Sequence, residues 1–148
     1  MRVALDTNVL AYAEGVNGVT MARAAHDLID KLPGASTFLP VQVVGELFYL
    51  LIRKAGFSPQ RAQSALLTWQ SAFPVIETTH SIMLTAMDLA VRHKVRIWDA
   101  VVLSAAASAS CRLLLSEDLH DGFTWSGVTV VNPFSKVPHE LLAQALEP

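Results

Sequence analysis

Short runs of aliphatic residues alternate along the chain with longer segments of helical periodicity, and this alternation restricts the possible folds most strongly. We predict strands over residues 2–5, 37–39, 75–78, 113–115 and 128–131. These runs are continuous instead of alternating in polarity, which is typical of strands buried on both faces. Strands of this kind, separated by helices, indicate a parallel sheet with helices on both sides. The predicted class is therefore α/β, with a small central sheet of four or five strands.

Proline, glycine and capping residues mark where the predicted helices begin and end. Pro40 opens one helix, and Ser58 followed by Pro59 is a helix-start signal. Apolar residues recur every three or four positions between such boundaries. The predicted helices cover residues 20–31, 40–55, 58–73, 81–93, a segment from 98 or 99 to 110, and 139–146. We assign the polar residues 6–8 to a turn after the first strand.

Length and composition narrow the class of protein. The 148 residues, 52% of them hydrophobic and 16% charged, suffice for one domain, residues 1–148, with a sizeable core. The single cysteine, Cys111, permits no internal disulfide, and no apolar stretch reaches the roughly 18 to 20 residues of a membrane span. The first residues lack the features of a secretory signal. We therefore expect a cytoplasmic protein without a membrane segment.

Four acidic residues fall where such a sheet would bring side chains together. Asp6 follows the first strand, Asp118 follows the strand at 113–115, and Asp99 lies at the start of a helix. Ligands of open α/β sheets bind at the carboxyl ends of the strands. Glu46 lies in a helix that is apolar on nearly every face, with no basic residue one turn away. Its carboxylate therefore requires a partner from elsewhere in the fold or from solution.

Each of these acids also has a plain structural interpretation. Asp6 can cap a turn, Asp99 can be a helix N-cap or first-turn acid, and Asp118 can be a solvated loop residue. If they converge, however, carboxylates within about 4 to 6 Å of one another cannot all ionise unless their pKa values rise or a cation binds. Oxygen ligands without His or Cys at metal spacing favour Mg²⁺ or Mn²⁺ over zinc. Such a site can hydrolyse a phosphodiester.

The net charge of −2 argues against a generic nucleic-acid coat, which would be basic. Setting the four acids aside changes this charge to +2. Cations that could then contact phosphates lie at the ends of two predicted helices: Arg53, Lys54, Arg92, His93, Lys94 and Arg96. The alternative is that these cations only complement the helix C-termini.

Four segments in order along the chain carry a resemblance to a known family. They are Leu5-Asp6-Thr7-Asn8-Val9-Leu10, the helix around Glu46, Trp98-Asp99-Ala100, and Leu115-Ser116-Glu117-Asp118-Leu119-His120-Asp121-Gly122. The segment Val128–Phe134, which ends in Val131-Asn132-Pro133-Phe134, also resembles the usual close of that family. The sequence resembles PIN-domain proteins and, more narrowly, VapC-type toxin ribonucleases.

The resemblance implies a three-layer α/β/α sandwich with a small, mainly parallel sheet, and a Mg²⁺- or Mn²⁺-dependent endoribonuclease activity. It also implies a homodimer and inhibition by a cognate VapB-type antitoxin. The acidic catalytic and metal-binding positions of the family fall on Asp6, Glu46, Asp99 and Asp118, and its polar supporting positions fall on Thr7, Asn8 and Ser116. Either Glu117 or Asp118 could supply the last carboxylate, and we favour Asp118. RNA contacts are expected from Arg92, Lys94 and Arg96.

Two other functions are compatible with parts of the pattern. A Mg²⁺-dependent phosphatase or phosphotransferase would need an acid two residues after its nucleophilic aspartate, but position 8 is Asn. A non-catalytic RNA- or protein-binding module could use the same fold. Large apolar side chains at 48–52, 66, 67, 69 and 73 either belong to the core or form an exposed groove for an amphipathic helix or a second copy.

Overall fold

The computed structural model describes residues 1–148 and contains one six-stranded sheet. Its strands are β1 (Val3–Leu5), β2 (Thr37–Pro40), β3 (Val75–Ile76), β4 (Leu113–Leu115), β5 (Thr124–Trp125) and β6 (Val128–Val131). The spatial order is β3-β2-β1-β4-β6-β5. All pairs are parallel except β5 with β6, which is antiparallel. The five predicted strands are present, and β5 is an additional edge strand that the predicted count of four or five did not include.

Seven helices flank the sheet, and they bury the central strands completely. They are α1 (Thr7–Ala13), α2 (Val19–Ile29), α3 (Val41–Arg53), α4 (Pro59–Ala72), α5 (His80–His93), α6 (Ile97–Ser108) and α7 (Glu140–Ala145). Every residue of β1, β4 and β6 is buried, as expected for strands covered on both faces. The predicted α/β fold with a mainly parallel sheet is therefore confirmed.

The predicted turn at residues 6–8 is wrong, because α1 begins at Thr7. The side chain of Asp6 caps this helix by accepting a hydrogen bond of 2.8 Å from the Thr7 N–H. All seven residues of α1 are buried, so its sequence has no polar face and hence no helical periodicity to recognise. Helix α6 begins at Ile97, with Arg96 as its N-cap, one or two residues before the predicted start at 98 or 99.

The register of β1 against β4, the two central strands, determines which residues meet at the carboxyl edge of the sheet. Leu5 of β1 lies beside Leu115 of β4, and the N–H of Asp6 donates to the carbonyl of Leu115 at 3.0 Å. Asp6 and Ser116 are thus neighbours at the carboxyl ends of adjacent strands. From β1 the chain proceeds to β2 and β3 on one side, whereas β4 continues to β6 on the other. In α/β sheets, a crevice lies outside the carboxyl ends of the two strands at which the strand order reverses in this way. Here these strands are β1 and β4.

Some of the large apolar side chains of α3 and α4, predicted to belong either to the core or to an exposed groove, lie outside the core. Leu51, Leu66 and Phe73 are buried, whereas Tyr49 and Leu67 are exposed.

The longest helices have 14 residues, and no helix combines the length and apolar character needed to cross a membrane.

Candidate active site

Asp6 occupies the floor of the crevice between β1 and β4. Its side chain is only 6% exposed, and both carboxylate oxygens accept hydrogen bonds. One oxygen caps α1 through the Thr7 N–H, and the other accepts from the Ser116 hydroxyl at 2.7 Å. Two separate strand ends therefore fix the orientation of this carboxylate.

Ser116 also joins the loop after β4 to α1. Its oxygen accepts from the Asn8 side-chain amide at 3.3 Å and from the backbone N–H of Asp118 at 3.2 Å. The Asn8 amide nitrogen lies 3.2 Å from a carboxylate oxygen of Asp118, and the Asn8 carbonyl oxygen accepts from the Glu117 N–H. The residues predicted as polar supports thus form one network that holds the loop carrying Asp118.

Glu46 reaches the same crevice from α3. One carboxylate oxygen accepts from the Thr7 hydroxyl at 2.7 Å, and the other accepts from the Gln42 amide at 3.0 Å. The expected partner from elsewhere in the fold is therefore Thr7, the residue next to Asp6. The sequence of α3 is apolar on nearly every face, but the helix is not buried on every face, since Glu46 is half-buried and Tyr49 is exposed.

Asp99 and Asp118 lie at the more open side of the crevice. Asp99 is in the first turn of α6 and its side chain is 26% exposed. One of its oxygens lies 3.1 Å from the Nε of Arg96, whose own side chain is 82% exposed. Asp118 is exposed in the loop after β4.

The electrostatics of Asp6 reflect both its burial and its acidic neighbours. The pKa of its carboxyl is raised to about 6, and burial is the largest cause. The negative charges of Glu46 and Asp99 contribute to the increase, whereas hydrogen bonds from Ser116 and Thr7 oppose it.

The pKa of Asp99 is raised in the same way, first by burial and then by the charges of Glu46 and Asp118, while Arg96 opposes the increase. The charges of Glu46 and Asp99 therefore act on Asp6, and those of Glu46 and Asp118 act on Asp99. Because an ionised cluster of this kind repels itself, a bound cation or a proton would stabilise it.

The chemistry of the donors fits a hard divalent cation, since all four groups offer carboxylate oxygens and no His or Cys lies among them. In their present rotamers the acids are engaged with protein groups, Asp99 with Arg96 and Glu46 with Thr7. No group of three or more His, Cys, Asp or Glu side chains is arranged so that it could hold a metal ion.

A cavity of about 370 Å³ has Asp99 and Asp118 on its wall together with two cations, and we call it the cationic cavity after the latter. Lys94 and Arg96, two of the three predicted RNA contacts, line it. Arg92 does not, because it points along α5 to Asp88, 3.1 Å away.

Two residues near the site were not identified from the sequence. The buried Tyr12 donates its hydroxyl to a carboxylate oxygen of Glu117 at 3.0 Å, and burial followed by this hydrogen bond raises the pKa of Tyr12. Glu117 is thus directed toward Tyr12, while Asp118 is bonded to Asn8. In a helix that begins at Thr7, Tyr12 lies one turn after Asn8 and hence on the same face, which is the signal that could have identified it. The other residue is Gln42, one turn before Glu46.

Comparison with known proteins identifies the family. A model of the PIN domain matches residues 3–120, which is most of the chain. The chain belongs to the PIN domain family. This match includes all four acids of the crevice, so they lie within the PIN domain itself. No curated protein sequence matches the chain.

Solved structures share the fold at low sequence identity. A toxin–antitoxin complex from Klebsiella pneumoniae is 22% identical, with a TM-score of 0.68 and coverage of 89% of this chain and 98% of that chain. VapC20 of Mycobacterium tuberculosis, a toxin that cleaves the sarcin–ricin loop, is 20% identical, with a TM-score of 0.67 and coverage of 78% and 89%. A DNA-bound VapBC from Salmonella typhimurium is 14% identical, with a TM-score of 0.61 and coverage of 88% and 96%. This PIN domain therefore has the fold of VapC toxins, as the sequence resemblance implied.

Proposed function

We propose that this PIN domain is a Mg²⁺- or Mn²⁺-dependent endoribonuclease, the toxin of a VapBC-type toxin–antitoxin pair. The observation that supports this most directly is the hydrogen-bond network around the start of α1, in which Asp6 caps the helix, Thr7 binds Glu46 and Asn8 binds Asp118. Asp99 lies near enough for its charge to act on Asp6. Carboxylates gathered in this way at the carboxyl edge of a parallel sheet are suited to a divalent cation and a phosphodiester.

The four carboxylates would hold the metal ion, which when bound lowers the pKa of a water molecule and neutralises charge on the phosphate. The remaining polar groups orient these ligands. The Ser116 hydroxyl fixes Asp6, the Thr7 hydroxyl fixes Glu46, and the Asn8 amide fixes Asp118. Supporting hydrogen bonds of this kind commonly orient carboxylate ligands of metals.

The cationic cavity beside the acids would hold the phosphate backbone. Lys94 and Arg96 line it, and Arg96 is exposed enough to exchange its bond with Asp99 for one with a phosphate oxygen. Arg92 would act only at a greater distance, since it is paired with Asp88.

For partners we propose a cognate VapB-type antitoxin and a second copy of the chain. The support is the likeness in fold to a toxin–antitoxin complex and to VapBC. Exposed apolar side chains available for such contacts are spread over α4, α5 and the start of α6: Leu67, Leu84, Met87, Val91 and Trp98. We propose the cytoplasm as the compartment, because the single cysteine, Cys111, is buried and free.

The test is cleavage of total RNA by the purified protein, with the new ends mapped, in Mg²⁺, in Mn²⁺ and in chelator. We expect cleavage only with metal and a loss of at least about a hundredfold for Asp99→Asn, since even residues that merely support a ligand contribute 10- to 100-fold. Asp30→Asn is the matched control, because Asp30 is exposed at the end of α2 and forms no ion pair.

Unchanged cleavage by Asp99→Asn would contradict its role as a ligand. The second candidate is a non-catalytic RNA- or protein-binding module on the same fold, and the pairing of Asp99 with Arg96 is the observation in its favour. Intact RNA after incubation of the wild-type protein with Mn²⁺ would support that candidate.

A further inference from the structure

A second cavity adjoins the acidic crevice on the side of α3. It has a volume of about 490 Å³, within the range of small-molecule sites, and Glu46 forms part of its wall. Unlike the cationic cavity, it contains no Lys or Arg among its lining residues. Its chemistry is therefore not that of a phosphate site, although it lies beside the same carboxylates.

Gly45 leaves space on this wall that the protein itself does not fill. It lies in the interior of α3, where glycine destabilises a helix relative to alanine. Apart from its chain neighbours and the backbone of α3 itself, no protein atom lies within 4 Å of the position that a Cβ would take there. Packing within the chain therefore does not require the glycine, whereas a ligand that approaches the helix backbone would.

The cavity also contains polar groups with unused hydrogen-bonding capacity. The Thr78 hydroxyl is buried and has no hydrogen-bond partner, so no polar contact holds this side chain in its present rotamer. The Gln42 amide donates one N–H to Glu46, which leaves its second N–H and its carbonyl oxygen available. A buried hydroxyl without a partner is uncommon in proteins and points to a missing ligand or water.

Tyr49 supplies an aromatic surface at the same cavity. Its side chain is 59% exposed. The guanidinium of Arg53, one turn later, lies 5.7 Å from the centre of the ring, so a cation is close to the ring without lining the cavity. Proteins that bind single-stranded nucleic acid stack bases on exposed aromatic rings of this kind.

We propose that this cavity binds a nucleobase of the RNA strand, one that flanks the phosphodiester held at the carboxylates. The base stacks on Tyr49, lies against the backbone at Gly45, and forms hydrogen bonds along its edge with Gln42 and Thr78. This inference rests on the proposed ribonuclease function. It identifies the α3 side of the crevice as the part of the site that selects the nucleotide.

The experiment uses an RNA oligonucleotide that contains the cleavage site mapped with the wild-type protein, and matched oligonucleotides with an abasic residue at each flanking position in turn. We expect Tyr49→Ala to raise KM about 5- to 150-fold, the range for removing one stacking aromatic, and Tyr49→Phe to restore it. On the abasic substrate that loses the stacked base, wild type and Tyr49→Ala should become equal.

Two further variants separate an effect on RNA binding from a general effect on the fold. Phe48→Ala removes the neighbouring aromatic, 38% exposed and outside the cavity, and should leave KM unchanged. Gly45→Ala should stabilise the protein to heat and yet raise KM, a combination that a structural role alone does not produce.

The two proposals fail in different ways. If the wild-type protein cleaves RNA but Tyr49→Ala and Gly45→Ala have wild-type KM values and cleavage sites, the nucleobase site is overturned and the ribonuclease function stands. If the wild-type protein neither cleaves nor binds RNA, both are overturned.

Discussion

At the scale of single residues, Asp6 combines two functions in one side chain. One oxygen caps α1 and the other accepts from Ser116, so its structural interpretation and its candidate catalytic role are not alternatives. The sequence identified Asp6, Asp99 and Asp118 because each follows or begins an element. It could not reveal that Arg96 pairs with Asp99 or that Thr7 binds Glu46, since both depend on side-chain rotamers in the assembled crevice.

The raised pKa of Asp6 predicts how stability depends on pH without metal. The folded protein holds this proton up to about pH 6, whereas the unfolded chain releases it near 3.8. The folded state therefore binds more protons in this window, and the free energy of unfolding should fall as the pH rises from about 4 to 6, by roughly 3 kcal/mol in all. Urea unfolding in chelator measures this, with Asp6→Asn expected to lose most of the dependence. The exposed Asp88→Asn is the control, and equal pH dependence in both variants would contradict the prediction.

At the scale of elements, local signals predicted most boundaries. Ser58 caps α4 by accepting from the Arg61 N–H, as its position before Pro59 indicated. The hairpin of β5 and β6 escaped prediction because β5 has only two residues. Its turn nevertheless carries a recognisable signal, since Ser126 and Gly127 both have positive φ, the requirement of the tight turns that join antiparallel strands.

The end of α5 provides the prediction that belongs to this scale. Lys94 has a left-handed backbone, with φ 55° and ψ 34°, which costs a non-glycine residue roughly 1–2 kcal/mol. Glycine would be the favourable residue there, so Lys94→Gly should raise the free energy of unfolding by about 1 kcal/mol and weaken RNA binding through the lost cation. Lys54 ends α3 with a right-handed backbone, and Lys54→Gly should give no such gain. Thermal melts and RNA titrations at two salt concentrations check both effects. Equal changes in stability for the two variants would exclude backbone strain at Lys94.

At the scale of the whole molecule, the site is assembled from chain segments far apart in sequence. The crevice exists because β1 and β4 are adjacent and in register, which joins the Asp6 end of one strand to the Ser116 end of the other. Apolar runs predicted the strands, but their spatial order, and hence the neighbours of each acid, depends on how the helices pack. The resemblance to PIN domains implied which four acids share a site, without the spatial order of the strands.

This assembly predicts how metal ions act on the stability of the entire fold. A cation that binds only the folded protein stabilises it by about 2.7 kcal/mol at 100 times its Kd, or roughly 5–10 °C in Tm for a chain of this size. We expect Mn²⁺ to raise the Tm of the wild-type protein at pH 7 and to have little effect on Glu46→Gln, because Glu46 is one of the four carboxylates proposed to hold the ion. Arg96→Gln should lower the concentration of Mn²⁺ required, since Asp99 is then released from its ion pair. Asp88→Asn should match wild type. A Tm that rises equally in Glu46→Gln and wild type would show that the ion binds outside the crevice.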